Sequence, residues 1–127
     1  MNRQQRGRWG EQRAAEALER AGFRIVARNW RCAEGEVDLV AEREGALYFV
    51  EVRTRRGEAL GTPEDSLIPA KRARMEAVAR RYLGEVAPPE VEAWHLAFVA
   101  VALDGRGRLR RLTFYPDLEG EPWPDFR

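Results

Sequence analysis

The sequence predicts an α/β protein in which helices flank a mixed sheet. Two stretches have the three- and four-residue apolar spacing of amphipathic helices, and five have the alternating or continuous apolar pattern of strands. Their order is helix, three strands, helix, strand, strand, which is typical of a layered α/β fold. The chain has 127 residues, about the size of one ordinary domain, so we expect a single domain over residues 1–127.

The first helix is predicted over residues 8–21, where alanine and leucine recur at helical spacing and Gly22 is a natural stop. One charged residue, Glu11, lies on the same stripe, which is expected to face the core. A strand is predicted next over residues 23–30 and ends in a polar turn.

Residues 36–42 and 46–54 are predicted to form a hairpin around a turn that contains a Glu-Gly pair. If that pair is the whole loop, Asp38 lies directly across from Glu51 on the same face of the sheet. A four-residue loop would also keep the two carboxylates on one face, whereas a three-residue loop would separate them.

The second helix is predicted to begin at residues 62–65, which combine a cap residue, a proline and two acids. Pro69 is expected to interrupt or restart this helix, which continues to Gly84. Its inner stripe includes Lys71, the only lysine of the chain. Lys71 could place its ammonium near the strand acids, or it could be a lysine at the edge of the core whose stem is buried.

The last third of the chain contains two further predicted strands, over residues 94–103 and 108–115. The first is almost continuously apolar, so we expect it in the centre of the sheet with both faces covered. Residues 116–127 form a tail rich in proline and aromatic residues. This tail could be an adhesive surface or could pack back onto its own sheet.

Composition excludes several classes of protein. The 22 basic and 21 acidic side chains nearly cancel, so a uniformly basic nucleic-acid coat is not indicated. Every apolar run is far shorter than the roughly 20 residues of a membrane helix, so we expect a soluble, cytoplasmic protein with no membrane partner. The single cysteine, Cys32, has no cysteine or histidine near it in sequence to complete a zinc site.

The hairpin acids carry the strongest chemical signal. Two carboxylates opposite each other on a half-buried sheet repel and are costly to desolvate, so Asp38 and Glu51 need compensation. A hard divalent cation such as Mg²⁺ binds a few carboxylate oxygens plus water, and can activate that water against a phosphodiester. Glu11 could supply another oxygen, and Arg53 could hold the phosphate.

The same residues also allow a purely structural interpretation. The two strand acids could form partly buried salt bridges with Arg28, Arg53 or Arg55, because ion-pair networks are common in arginine-rich proteins. Glu11 could be an acid of the first helical turn that the helix dipole favours.

Charge is unevenly distributed along the chain. Residues 1–31 carry eight arginines and three glutamates, whereas residues 32–51 carry six acids and one arginine. An acidic pocket bordered by arginines is what a metal-dependent nuclease needs, because arginines neutralise phosphates while the acids hold the metal. Solvated surfaces and intramolecular ion pairs are the alternative for any single arginine. The candidate nucleic-acid-binding residues are Arg8, Arg28, Arg31, Arg55, Arg56, Arg72 and Arg74.

Several short segments form a recognisable series. They are Gly10-Glu11, residues 27–32 (Ala-Arg-Asn-Trp-Arg-Cys), residues 35–41 (Gly-Glu-Val-Asp-Leu-Val-Ala), residues 49–55 (Phe-Val-Glu-Val-Arg-Thr-Arg), residues 61–63 (Gly-Thr-Pro) and Lys71. This series resembles the signatures of the YraN family, small bacterial proteins predicted to be endonucleases and distantly similar to archaeal Holliday-junction resolvases. The resemblance extends from about Gly7 to Val101.

The resemblance implies the restriction-endonuclease-like fold, with an αβββαβ core. In that superfamily the catalytic pattern is an aspartate, then an acid, any residue and a lysine on a hairpin. Asp38 and Glu51 match the two acids, which are expected to bind Mg²⁺ or Mn²⁺, and Glu11 matches an additional helix ligand of resolvase-like members. Arg53 stands where lysine is usual, and an arginine cannot act as a base at neutral pH. Lys71 is the candidate replacement.

The resemblance also implies DNA as the partner, with branched DNA as a candidate substrate. Junction-resolving relatives imply a homodimer, because a two-fold enzyme can make paired cuts in a two-fold substrate. A nucleic-acid-binding module whose catalytic site has decayed is the alternative, and Arg53 favours it. A protein-interaction domain is a third interpretation.

Overall fold

The structure, a computed structural model, describes residues 1–59 and 61–127. Within those residues it contains two long helices and one five-stranded sheet. The helices are α1 (Arg3–Arg20) and α2 (Pro69–Glu85), and the strands are β1 (Arg24–Cys32), β2 (Gly35–Arg43), β3 (Ala46–Arg56), β4 (Ala93–Leu103) and β5 (Leu109–Tyr115). A short 3₁₀ helix, Pro63–Ser66, precedes α2.

The strands lie in the order β1-β2-β3-β4-β5. All neighbours are antiparallel except β3 and β4, which are parallel and are joined by the crossover that contains α2. This is the predicted αβββαβ arrangement of the restriction-endonuclease-like core, with a mixed sheet between two helices. The prediction that β4 is central is also confirmed, since it lies between β3 and β5 and Ala97–Val101 is inaccessible to solvent.

The two helices cover opposite faces of the sheet. The core under α1 includes Ala14, Leu18, Leu39, Val50 and Val99. The core under α2 includes Val40, Phe49, Val78 and Tyr82. Burying both faces explains why β3 and β4 are apolar on both sides rather than alternating.

The β2–β3 hairpin has the two-residue turn that the sequence predicts. Glu44 and Gly45 have φ of 52° and 82°, the left-handed values that a tight hairpin turn of this type requires. The register begins at Arg43↔Ala46 and continues to Leu39↔Val50. Asp38 and Glu51 are the next residues of the two strands, just beyond the last backbone pair.

The faces of β2 do not alternate strictly. Val37 packs with Val40 in the core under α2, while Leu39 lies in the core under α1. Two residues three positions apart share a face only if the strand departs from regular pleating between them. Asp38 lies within that irregular segment.

Helix α1 begins at Arg3, five residues before the predicted start. Asn2 caps it: the backbone N–H of Gln5 donates to Asn2 Oδ1 at 2.8 Å, and Asn2 N–H donates to Gln5 Oε1 at 2.9 Å. The first turns carry arginine and glutamine rather than apolar residues, so periodicity could not reveal them. Glu11 consequently lies in the third turn, too far inside the helix for its N-terminal dipole to be the reason for an acid there.

Pro69 restarts the second helical segment. Residues 62–65 belong to the separate 3₁₀ helix and its cap, and α2 begins at Pro69. Met75, Val78 and Tyr82, which follow Lys71 at helical spacing, are buried.

The tail packs back onto its own sheet, one of the two alternatives expected for it. Trp123 N–H donates to the carbonyl of Phe114 at 2.7 Å, and Phe126 is buried beside the same phenyl ring. Trp123 also makes an edge contact with Phe23 at 5.3 Å between ring centroids. No helix within the described residues is long and apolar enough to cross a membrane.

Candidate active site

Strands β2 and β3 separate just where the two predicted acids lie. Their backbone pairing ends at Leu39↔Val50, after which β2 continues beside β1 and β3 continues beside β4. Asp38 is the first residue of β2 beyond the last pair, and its Oδ2 accepts a hydrogen bond of 2.8 Å from Val52 N–H. The carboxylate thus replaces the backbone acceptor that β2 no longer offers. We call the place where β2 and β3 separate, at Asp38 on β2 and Glu51 on β3, the strand fork.

Asp38 is in an unfavourable place for a negative charge. Burial raises its pKa to about 8, and the nearby charge of Glu51 adds to the rise, while the hydrogen bond from Val52 opposes it. Charges on Glu11 and Glu36 act in the same direction as that of Glu51. Among the described residues no arginine or lysine lies within 4 Å of Asp38, so the salt-bridge interpretation fails for this acid.

Glu51 is almost completely buried, with 5% of its surface exposed, but it has two cationic partners. Lys71 Nζ lies 2.7 Å from Glu51 Oε2, and Arg53 Nη2 donates to the same oxygen at 3.1 Å. Lys71 comes from the first turn of α2 and Arg53 from β3 itself. The ion-pair interpretation therefore holds for Glu51, and the structure brings the single lysine to the acids.

Glu11 reaches the same region from α1. Burial raises its pKa, and the charges of Glu36 and Glu51 add to that effect. Asn29 opposes it: with its side-chain nitrogen facing the acids, it donates to Glu11 Oε1 at 3.2 Å and to Glu36 Oε1 at 3.1 Å. Arg8 lowers the pKa of Glu11 to a smaller extent.

Sequence reasoning missed Asn29 and Glu36 as members of the site. Asn29 has a φ of 50°, inside a strand and on β1 opposite the irregular part of β2. Asparagine tolerates this left-handed conformation better than most residues. An asparagine inside a predicted strand was therefore an available signal.

The fork holds four mutually repelling carboxylates, and its donor set fits a hard divalent cation. No three histidine, cysteine, aspartate or glutamate side chains form a ready metal cage within residues 1–59 and 61–127. Mg²⁺ does not need one, because it is commonly held by one or two carboxylates and several waters. Asp38 and Glu51 are the pair whose charges interact most strongly, and Glu11 lies close enough to affect both.

A cleft of about 380 Å³ opens beside the fork. Its charged lining residues are Arg3, Arg6, Glu11, Arg53, Arg55 and Arg56. Arg3 and Arg6 were not among the predicted binding residues, because the helix was expected to begin after them. We call this place the arginine cleft.

The remaining predicted nucleic-acid-binding arginines lie outside the cleft. Arg8 is exposed on α1, and Arg74 is exposed on α2. Arg28 Nη1 donates to Gln12 Oε1 at 2.8 Å, Arg31 is highly exposed with Glu36 at 3.5 Å, and Arg72 pairs with Glu119. Within the cleft, the guanidinium of Arg56 already has a hydrogen-bond acceptor. Its Nε and Nη2 both donate to the carbonyl of Gly105, at 3.0 and 2.7 Å.

Comparison with known proteins places the chain in a family. Residues 10–108 match the model of "Uncharacterised protein family UPF0102". The chain belongs to this family, the YraN family. The matched range contains the fork acids and Lys71 but not Arg3 or Arg6.

Family members from several bacteria are similar over most of their length. A UPF0102 protein of Roseiflexus castenholzii is 45% identical over 102 residues, which are 80% of this chain and 82% of that protein. One of Symbiobacterium thermophilum is 44% identical over 106 residues, 82% of this chain and 89% of that protein. One of Acidothermus cellulolyticus is 41% identical over 116 residues, 89% of this chain and 87% of that protein.

Proposed function

We propose that this protein hydrolyses phosphodiester bonds of DNA with the help of a divalent metal bound at the strand fork. The observation that carries the proposal is the pair of the half-buried Asp38 and the buried Glu51, in which the pKa of Asp38 is raised to about 8 and Lys71 lies 2.7 Å from Glu51. Buried, mutually repelling carboxylates cost stability, and such groups concentrate at functional sites.

Mg²⁺ or Mn²⁺ would be held by Asp38 and Glu51, with Glu11 as a further oxygen donor. When bound, the metal would supply charge stabilisation and a more acidic water. This role also accounts for the acids themselves, because a divalent cation offsets both the burial and the repulsion that raise the pKa of Asp38 to about 8.

The chain's own cations would act on the phosphate. Hydrolysis forms a bond between a water oxygen and phosphorus and breaks the bond to one sugar oxygen, giving a phosphomonoester, a hydroxyl group and a released proton. Negative charge gathers on the phosphoryl oxygens in between. Lys71 and Arg53, both in contact with Glu51, are placed to stabilise that charge. Arg53 cannot be the base.

Cleavage assays on purified protein test this proposal. Branched and linear DNA substrates are incubated with Mg²⁺, Mn²⁺ or EDTA, using the wild type, Asp38→Asn, Glu51→Gln and Glu90→Gln. The last variant removes an exposed acid far along the chain from the fork and serves as the matched control. We expect metal-dependent cleavage in the wild type and Glu90→Gln only. Cleavage that persists in both fork variants would disprove the assignment.

Branched DNA as the preferred substrate, a homodimer as the active form and action in the cytoplasm are parts of the same proposal. A faster rate on four-way junctions than on linear duplex would support the first. Sedimentation at assay concentration would test the second.

A nucleic-acid-binding module without hydrolytic activity is the second candidate. Arg53 favours it, because the restriction-endonuclease-like pattern has lysine at this position. Titration calorimetry separates the two functions. Salt-dependent DNA binding without Mg²⁺ or Mn²⁺ binding would favour the module, whereas metal binding that is lost in Glu51→Gln would favour the enzyme.

A further inference from the structure

Beyond the fork, β3 has an unpaired backbone edge on the side that β2 has left. Val52 N–H donates to Asp38 Oδ2, so it points away from β4. Gly57 lies an odd number of positions after Val52, and its N–H donates in the opposite direction, to the carbonyl of Leu103 on β4. Because amide directions alternate along a strand, the N–H groups of Thr54 and Arg56 point to the same side as that of Val52. In the described part of the chain no strand pairs with that side of β3 beyond Val50.

Three side-chain polar atoms of the same segment are buried without a hydrogen-bond partner among the described residues. They are Arg53 Nε, Thr54 Oγ1 and Arg55 Nε, on consecutive residues that all line the arginine cleft. Buried polar atoms are nearly always satisfied in proteins, by protein, water or ligand. Three adjacent exceptions therefore indicate a place where another molecule supplies the acceptors.

The chemistry of the cleft specifies that molecule. Two of the unsatisfied atoms are guanidinium donors, and the adjacent strand edge offers amide donors, whereas the Thr54 hydroxyl lies against Gly10 of α1. Arg3 and Arg6 add positive charge from α1, and Glu11 is the only acid among the described lining residues. Convergent donors and positive charge match the oxygens of a phosphate.

The cleft is continuous with the fork rather than separate from it. Arg53 touches Glu51 through Nη2 and also lines the cleft, and Glu11 belongs to both places. A phosphate in the cleft would therefore be a neighbour of a phosphate at the acids.

We propose that the arginine cleft binds a backbone phosphate of a nucleic-acid strand, next to the phosphate at the fork, so that the strand runs along the free edge of β3. The choice of nucleic acid rather than a free phosphate rests on the proposed function. Binding in the cleft does not require hydrolysis, so the two proposals can fail separately.

Substitutions at Gly7 test whether the cleft binds phosphate without removing any existing side-chain contact. It lines the cleft in the second turn of α1, and a Cβ placed there meets no atom within 4 Å. Gly7→Glu introduces a negative charge into the cleft, and Gly7→Gln introduces the same shape without charge. Gly84→Glu makes the same change at an equally open helical position on α2.

Binding is measured by fluorescence anisotropy with a fluorescein-labelled DNA duplex in EDTA, over a series of salt concentrations. We expect Gly7→Glu to weaken binding at least tenfold and several times more than Gly7→Gln, and Gly84→Glu to change it less than twofold. Arg55→Ala should weaken binding and reduce the slope of log K against log salt by about 1, because one phosphate contact is lost. Arg24→Ala, which removes an exposed arginine at the opposite end of the sheet, should leave the slope nearly unchanged.

Each outcome decides the proposal. Unchanged affinity and salt slope in both Gly7→Glu and Arg55→Ala would overturn it, as would equal losses in Gly7→Glu and Gly7→Gln. Competition by millimolar inorganic phosphate as strong as that by unlabelled duplex would overturn the nucleic-acid strand in favour of a free phosphate. Losses confined to the cleft variants in a protein that cleaves no DNA would support the cleft while refuting hydrolysis.

Discussion

Lys71 Nζ lies 2.7 Å from Oε2 of Glu51, so the only lysine of the chain is paired with its most deeply buried carboxylate. The two residues come from different layers, since Lys71 is on α2 and Glu51 is on the sheet. The pair therefore connects the helix to the strand fork as well as placing an ammonium at the acids.

Removing the lysine should destabilise the protein. In Lys71→Met, Glu51 stays buried with Arg53 as its remaining cation, and an under-compensated buried charge costs about 1–3 kcal/mol. Urea unfolding followed by circular dichroism measures this loss. Lys71→Arg keeps the charge and should recover part of it.

The same pair predicts coupling between the two mutations. In the double variant Lys71→Met with Glu51→Gln no buried charge is left unpaired, so the loss should be smaller than the sum of the single losses. Additive losses would show that Lys71 and Glu51 do not stabilise each other.

Asp38 should make stability fall as pH rises. Its pKa is about 8 in the folded protein, against an ordinary value of 3.8, so between these values the folded state binds a proton that the unfolded state has released. The free energy of unfolding then decreases from about pH 4 to about pH 8, by at most about 1.4 kcal/mol per pH unit. Asp38→Asn can still accept from Val52 and should flatten this slope.

Thermal unfolding in EDTA across pH 4 to 9 measures the effect of Asp38. We expect the melting temperature of Asp38→Asn to gain on that of the wild type as pH rises. A constant difference between the two proteins over the whole range would contradict a raised pKa for Asp38.

Divalent metal should stabilise the folded protein. A ligand that binds only the folded state at about 100 times its Kd adds about 2.7 kcal/mol. We expect millimolar Mn²⁺ to raise the melting temperature of the wild type at pH 8, where Asp38 loses its proton more readily, and EDTA to reverse the rise. Glu51→Gln should show no rise, whereas Glu90→Gln should behave as the wild type.

Gly10 should tolerate no side chain. A Cβ at this buried position would clash with Thr54 Oγ1, so α1 would have to move away from β3. Gly10→Ala should therefore cost about 1–3 kcal/mol. Gly7→Ala, in the same helix with open space around it, should instead stabilise by up to about 1 kcal/mol.

A compensating change tests the cause assigned to Gly10. Thr54→Ala removes the hydroxyl that the new methyl group would meet, so combining it with Gly10→Ala should restore most of the lost stability. No recovery in that double variant would show that the clash is not with Thr54.

The sequence predicted the hairpin because its register follows from local turn chemistry. The Glu44-Gly45 turn fixes which residues face each other, and pairing from Arg43↔Ala46 onward was confirmed. Apolar spacing on α2 likewise predicted the position of Lys71, since a helix places residues on a face regularly.

The parts that were not predicted depend on contacts between distant segments or on polar patterns. The start of α1 depends on a side-chain cap at Asn2, which apolar periodicity does not report. The separation of β2 from β3, and the bridge that Asn29 makes between Glu11 and Glu36, depend on how three layers meet. No local pattern contains that information.

Arg53 belongs to both the fork and the cleft, since its Nη2 donates to Glu51 and the residue also lines the cleft. A phosphate that draws its guanidinium toward the cleft changes how strongly Glu51 can bind a cation, and a cation on Glu51 changes how freely the guanidinium can turn. If both sites bind as proposed, occupancy of the fork and of the cleft is therefore thermodynamically linked. Whatever factor one ligand imposes on the affinity of the other, the second must impose on the first.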